Sequence, residues 1–245
     1  MLNQLFIEVT RNGTIESQHF GAAVVCDFKG NVLERWGDTE TVMFPRSALK
    51  PKLAINVVES GASDHYALDN GELSLDILSD LAGTDIQQYP MGIDGCGFPA
   101  PTMPLECLGR TIAGFANPVN LSSQRAKAVY RLHEAIINEP LYAAGHGTVV
   151  SELNEITKGA ILAKTGAEGV LIAALSEQGL GIALKIADGN ARARPTALLA
   201  ILDHLGVLSD NEKNALQAHI NPQITNSRGQ IVGNIRSAQT WLRAS

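Results

Sequence analysis

The stretch Gly169 to Asp188, GVLIAALSEQGLGIALKIAD, decides how the chain folds. Two apolar runs of strand length, Gly169 to Ser176 and Gly181 to Asp188, flank the turn signal Ser176-Glu177-Gln178-Gly179. The whole reads as a β-hairpin. Just upstream, Ala160 to Ala163 adds another strand-length run. Just downstream, Ala191 to Leu205 carries Ala197, Leu198, Ile201, Leu202 and Leu205 at helical spacing, which predicts a long helix.

The other end of the chain has the same character. Gln4 to Val9 is extended, Arg11-Asn12-Gly13 is a turn signal, and His19 to Asp27 is small and β-rich. Lys29-Gly30-Asn31 turns the chain into Val32 to Trp36. Strands at both ends predict one antiparallel sheet built from about residues 1–36 and 160–188. The middle, 46–158, is left to helices and loops. The expected class is α/β (α+β), with 1–245 as a single domain.

Within that middle, Ser47 to Ser60 reads as a helix beginning near Arg46 and Ser47, because Pro51 is tolerated only in a first turn. Leu73 to Ala82 is a shorter helical segment. Met91 to Pro104 is rich in Gly and Pro and reads as a loop. Ser122 to Asn138 is amphipathic, with Ala126, Val129, Leu132, Ile136 and Ile137 on one side. His133 and His204 sit in helical stretches and are expected at the surface or its boundary.

Composition narrows the function. Among 245 residues, 45% are apolar and 18% charged, which excludes a disordered polyelectrolyte. Nineteen basic against twenty-five acidic residues give a net charge of −6 without a Lys/Arg cluster, so no nucleic-acid surface is expected. The most apolar stretch is broken at Glu177 and Gln178, too early for a bilayer span, and the N-terminus has no signal-peptide pattern. Three cysteines, Cys26, Cys96 and Cys107, form no even framework, which fits a reducing cytoplasm.

Three short motifs carry chemistry. Arg46-Ser47-Ala48-Leu49-Lys50 contains Ser-x-x-Lys, in which a neutral lysine one helical turn from a serine can take its proton. A helix terminus there also offers N–H groups to an oxyanion. The same pattern serves a capping serine and a solvated lysine. Gly92-Ile93-Asp94-Gly95-Cys96-Gly97-Phe98-Pro99 either presents Asp94 and Cys96 from a rigid loop or forms a tight turn over a structural cysteine. Lys164-Thr165-Gly166, late and before a hairpin, is the partner of Ser-x-x-Lys in penicillin-recognising enzymes. It is also compatible with an ordinary turn. Asp188-Gly189-Asn190 reads as the N-terminal turn of the last long helix. The six histidines show no ligand spacing, and no nucleotide motif is present.

Taken together, PRSALKPKLAI, MGIDGCGFPAPTMPL, LAKTGAEGV and GLGIALKIADGNARAR, with the opening IEVTRNGTIESQHFGAAVV, resemble the bacterial L-asparaginase II family of the thermolabile or Rhizobium type. The resemblance covers nearly the whole chain. It implies a fold similar to serine β-lactamases and glutaminases, hydrolysis of L-asparagine to aspartate and ammonia, and a homodimer. Ser47 is similar to the family's nucleophile, Lys50 to its paired base and Lys164 to its second active-site lysine. Arg46 precedes the serine as in the family. Asp94 matches a residue placed to hold the substrate amino group, and Cys96 a zinc-cluster cysteine.

One departure is large. After Gly71-Glu72-Leu73-Ser74-Leu75 the family continues with a CASHSGE-like stretch and, further on, a CSGKH-type motif. Here Leu75 runs straight into Asp76-Ile77-Leu78-Ser79-Asp80. The resemblance therefore implies a missing segment and a reduced helical lobe. Lys164 loses its serine partner. The zinc set is left incomplete at Cys96, so no cofactor is expected. Two other readings stand beside an asparaginase. One is a non-catalytic remnant or amino-acid-binding protein of the same fold. The other is a penicillin-interacting hydrolase, which the GIDGCG loop disfavours.

Overall fold

The computed structural model describes residues 3–59, 71–95, 97 and 99–243. Its frame is one antiparallel sheet of eight strands: β1 (Gln4–Arg11), β2 (Thr14–Asp27), β3 (Val32–Trp36), β8 (Ile161–Thr165), β9 (Val170–Leu175), β10 (Leu180–Ile186), β11 (Gln223–Thr225) and β12 (Ile231–Ser237). Short strands β4 (Val42–Met43), β5 (Met91–Ile93), β6 (Pro99–Pro101) and β7 (Met103–Pro104) lie between them in the chain. The order is β11-β12-β1-β2-β10-β9-β8, with β3 also paired to β2. The two chain ends meet at the β2–β10 ladder, where Val24 faces Ala183 and Gly21 faces Ile186. The hairpin β9–β10 pairs Leu175 with Leu180, closing over the expected turn.

Six helices of eight residues or more are described: α1 (Lys50–Glu59), α2 (Gly71–Ala82), α3 (Leu105–Ala116), α4 (Ser123–Asn138), α5 (Val149–Ile156) and α6 (Ala193–His204). They cover both faces of the sheet. Leu171, Ala173 and Leu175 of β9 pack with α5, α6, Trp36 and Trp241. Val170, Ile172 and Ala174 of the same strand pack under α1 to α4. Both faces of β9 are buried, which is why it reads as an unbroken apolar run rather than an alternation.

The structure departs from the sequence reading in four places. Helix α3 has no counterpart in that reading, yet it lies directly on the sheet. A Cβ at Gly181 would stand 2.2 Å from the Ala113 amide nitrogen and 2.4 Å from the Gly109 carbonyl oxygen. A Cβ at Gly109 would stand 2.7 Å from Val24. Glycine at both positions lets the two backbones touch. Strands β11 and β12 extend the sheet beyond the expected 1–36 and 160–188. Met91 to Pro104, which reads as a loop, holds the short strands β5, β6 and β7. Finally, His133 is buried in α4 rather than at the surface.

Candidate active site

Ser47 lies in a 3-10 turn, Arg46–Leu49, that leads into α1. Pro51 thereby falls in the first turn of α1, where its missing N–H breaks no hydrogen bond. Ala48 and Leu49 are buried and tie the turn to the sheet. The turn packs on β8 and β9. Gly166, just past β8, approaches so closely that a Cβ there would stand 2.6 Å from the Pro45 carbonyl oxygen. The Lys164-Thr165-Gly166 strand end is therefore laid against the backbone that introduces Ser47.

The Asp94 loop reaches the same place by another route. Strand β4 pairs Val42 with Pro104 and Met43 with Met103. Strands β5 and β6 pair Met91 with Pro101 and Ile93 with Pro99. The Phe44 ring rests on Gly92, where a Cβ would be 2.8 Å away. Thr102 donates from its backbone N and from Oγ1 to the Pro90 carbonyl, at 2.9 and 2.7 Å. These contacts seat the hairpin beside the serine turn. Asp94 Oδ1 then accepts the Gly95 N–H at 2.7 Å and stands 2.9 Å from Arg46 Nε. The Arg46 N–H is not aligned with the carboxylate, so the contact is Coulombic rather than a straight hydrogen bond. Arg46 itself has φ +55°, a left-handed backbone that a side chain adopts only when its surroundings impose it.

The electrostatics are dominated by amines. Lys164 is half-buried, and its amine is pushed below the usual lysine range, first by burial and then by the charges of Lys50 and Arg194. Lys52 is only 2% exposed, and burial followed by the charge of Lys164 holds it well below that range. Its Nζ sits 4.7 Å from the centre of the Phe115 ring. Across that ring lies His133, edge-on at 4.6 Å, with Nε2 buried and without a hydrogen-bond partner. Burial first, with a smaller push from Lys52, brings His133 down to about 4 against a backbone hydrogen bond at Phe115. Lys50, by contrast, is exposed.

Arg46, Lys50, Asp94 and Lys164 are thus gathered around the turn that carries Ser47. Cys96 lies outside the described residues. Cys26 and Cys107 are free and buried, and burial pushes the Cys26 thiol up to about 12, so it stays protonated. Among the described residues, no cluster of three or more His, Cys, Asp and Glu side chains could hold a metal ion. Lys52 and Arg194 were not singled out from the sequence. Lys52 stands five residues after Ser47, off the face that Ser-x-x-Lys predicts, and Arg194 lies in a run, ARAR, that spacing alone does not mark.

The arrangement places a hydroxyl on a strained turn, packs that turn on the strand that carries the half-buried Lys164, and sets Arg46 against the Asp94 carboxylate. That set can activate a nucleophile and hold an anion. The family model for L-asparaginase II matches residues 7–79 and 75–237. No curated protein sequence matches the chain. A solved β-lactamase from Mycobacterium bovis aligns with a TM-score of 0.46 at 14% identity, over 75% of this chain and 94% of that one. The crystal structure of Mglu aligns with a TM-score of 0.52 at 13% identity, over 76% of this chain and 67% of that one. The latter likeness is one of fold alone.

Proposed function

From the premise that this chain belongs to the L-asparaginase II family, a family of amidohydrolase type, we propose that it acts on the side-chain amide of L-asparagine through Ser47. The observation that carries the reading is the contact of Arg46 with Asp94 at 2.9 Å, one residue from the serine, on a turn packed against the strand of the half-buried Lys164. In this scheme Ser47 Oγ attacks the amide carbon while its proton passes to a neutral lysine amine. Backbone N–H groups of the Ser47 turn receive the oxyanion. The C–N bond breaks, the lysine returns its proton to the leaving ammonia, and water releases aspartate and restores Ser47. Lys164 is the better placed base, because burial favours its neutral form, while Lys50 is exposed and solvated. Asp94 holds the substrate ammonium, and Arg46 fixes Asp94. No step needs a metal supplied by Cys96. A cytoplasmic location and a homodimer belong to the same proposal, as does a small-molecule substrate rather than a nucleic acid.

A second reading has its own support. The family match comes in two pieces that meet at 75–79, where the missing segment was inferred. An exposed Lys50 is what an uncovered site leaves. On that reading the chain keeps an amino-acid pocket and turns over slowly or not at all. Ammonia release from asparagine and from glutamine, beside a full-length relative, separates the two. We expect Ser47-dependent release from asparagine, slower than the relative by a hundredfold or more, since loss of a single oxyanion donor already costs about 10²–10³. Release unchanged in Ser47→Ala would remove the serine mechanism. No release above background, with asparagine still bound, would establish the binding protein.

A further inference from the structure

Arg194 belongs to α6, whose Ala193, Ala197 and Leu198 pack on the sheet face opposite the Ser47 turn. Its guanidinium nonetheless reaches the end of β8. Arg194 Nη1 donates to the Gly166 carbonyl and, at 3.3 Å, to the Val170 carbonyl. Those two residues close the loop after Lys164, since the Gly166 N–H also donates to Val170 O at 2.9 Å. The loop is not relaxed by itself, because Glu168 takes φ +55°. Gly166 is in turn the residue pressed against the Pro45 carbonyl. A continuous chain of contacts runs from Arg194 through Gly166 to Pro45 and Ser47.

We propose that Arg194 is a positioning residue of this site. Its Nη1 clamps the Gly166–Val170 loop, which follows Lys164 and lies against the serine turn, and its charge acts on Lys164. The proposal rests on the reading of Ser47 and Lys164 as nucleophile and amine. The clamp and the charge are separable. Both bonds come from Nη1, the far end of a guanidinium one bond longer than a lysine side chain, so an ammonium at this position reaches the loop less well. A cation of either type disfavours a second proton on Lys164. The charged groups acting on Lys164 are Lys50 from the start of α1 and Arg194 from α6, and Lys164 acts in turn on the buried Lys52.

The test uses the full chain as parent, Arg194→Gln and Arg194→Lys. Each is labelled with ¹³C-lysine and ¹⁵N, and the Lys164 signal is assigned by its loss in Lys164→Met. In Arg194→Gln the Lys164 amine should titrate at a higher pH than in the parent, and the Gly166 and Val170 amide signals should move. Where turnover is measurable, kcat should fall tenfold or more with a smaller change in KM, and the acid limb of the rate profile should move upward. Arg194→Lys should keep the parent titration while still shifting the loop amides and lowering kcat. An unchanged Lys164 titration together with unmoved loop amides in Arg194→Gln overturns the proposal. If Arg194→Gln does not fold, Arg194→Lys decides by its loop amides: movement supports the clamp, and no movement overturns it. A parent without turnover would count against the hydrolase reading, while the titration would still decide the role of Arg194.

Discussion

Arg46 Nε stands 2.9 Å from the Asp94 carboxylate, and Arg46 holds this place with a left-handed backbone. The side chains are 30% and 15% exposed, so solvent screens the pair only in part. Asp94→Asn keeps the shape and removes the charge. Unfolding in urea should shift by about 1 kcal/mol or less, as for a partly exposed ion pair. Asparagine turnover should fall about tenfold or more, mainly in KM, because the substrate ammonium loses its counter-charge. A stability loss without any kinetic change would make the pair purely structural.

Gly181→Ala tests the seat of α3 on β10. The added carbon meets the Ala113 nitrogen at 2.2 Å and the Gly109 oxygen at 2.4 Å, both backbone atoms that no rotamer change can move. Helix α3 must lift from the sheet. The cost should lie at or above the upper end of the roughly 1–3 kcal/mol typical of overpacking. Denaturant midpoints measure it, and Gly83→Ala, where nothing lies within 4 Å of the new carbon, shows the size of an uncrowded glycine replacement at positive φ.

That helix also shows where the sequence stops being readable. The hairpin at 169–188 and the strands at 4–36 are legible because both faces or one face of each strand is buried, so their apolar runs are long. Helix α3 hides because Gly109 and Gly114 lower its helical signal, although the same glycines are what let it touch Val24, Cys26 and Leu81. Strand β12 is half-exposed, with Asn234 and Arg236 among its residues, and shows little alternation. At the site, Ser47, Asp94 and Lys164 stand out by motif. Lys52 does not, because its burial depends on α3 supplying Phe115, which no local pattern reveals.

Metal content gives an independent check on Cys96. With no cluster of three or more metal-ligating side chains among the described residues, a single cysteine cannot complete a tetrahedral site. Protein purified without chelator should carry well under one zinc per chain by elemental analysis. One zinc per chain, lost in Cys96→Ser, would require ligands from outside the described residues.

His133 makes the fold acid-sensitive. Its side chain is neutral in the fold down to about pH 4, first because of burial, whereas in the unfolded chain it binds a proton near 6.5. Between those values the unfolded state holds more protons, so stability is present above pH 6.5 and is lost as pH falls toward 4. The loss should amount to about 2–4 kcal/mol. In His133→Leu this part of the acid limb should flatten, because the titrating group is gone and Nε2 had no partner to lose. An acid limb of unchanged slope would place the acid sensitivity elsewhere.

Lys52 has the same sign over a higher window. Burial and the charge of Lys164 hold it well below the usual lysine range, so the folded chain releases its proton at lower pH than the unfolded chain, which keeps it up to about pH 10.4. The unfolded state again binds more protons, and stability should rise with pH until the unfolded lysine also becomes neutral. Lys52→Met keeps the length of the side chain and its contact with Phe115 but cannot take a proton. At pH 7 it should be more stable than the parent, because the parent's folded state holds this proton less well than its unfolded state does. The advantage should shrink as pH approaches 10.4. Urea midpoints across that range read the difference directly. A variant less stable than the parent at every pH would mean that the amine over the Phe115 ring contributes more in contact than burial costs it in protonation.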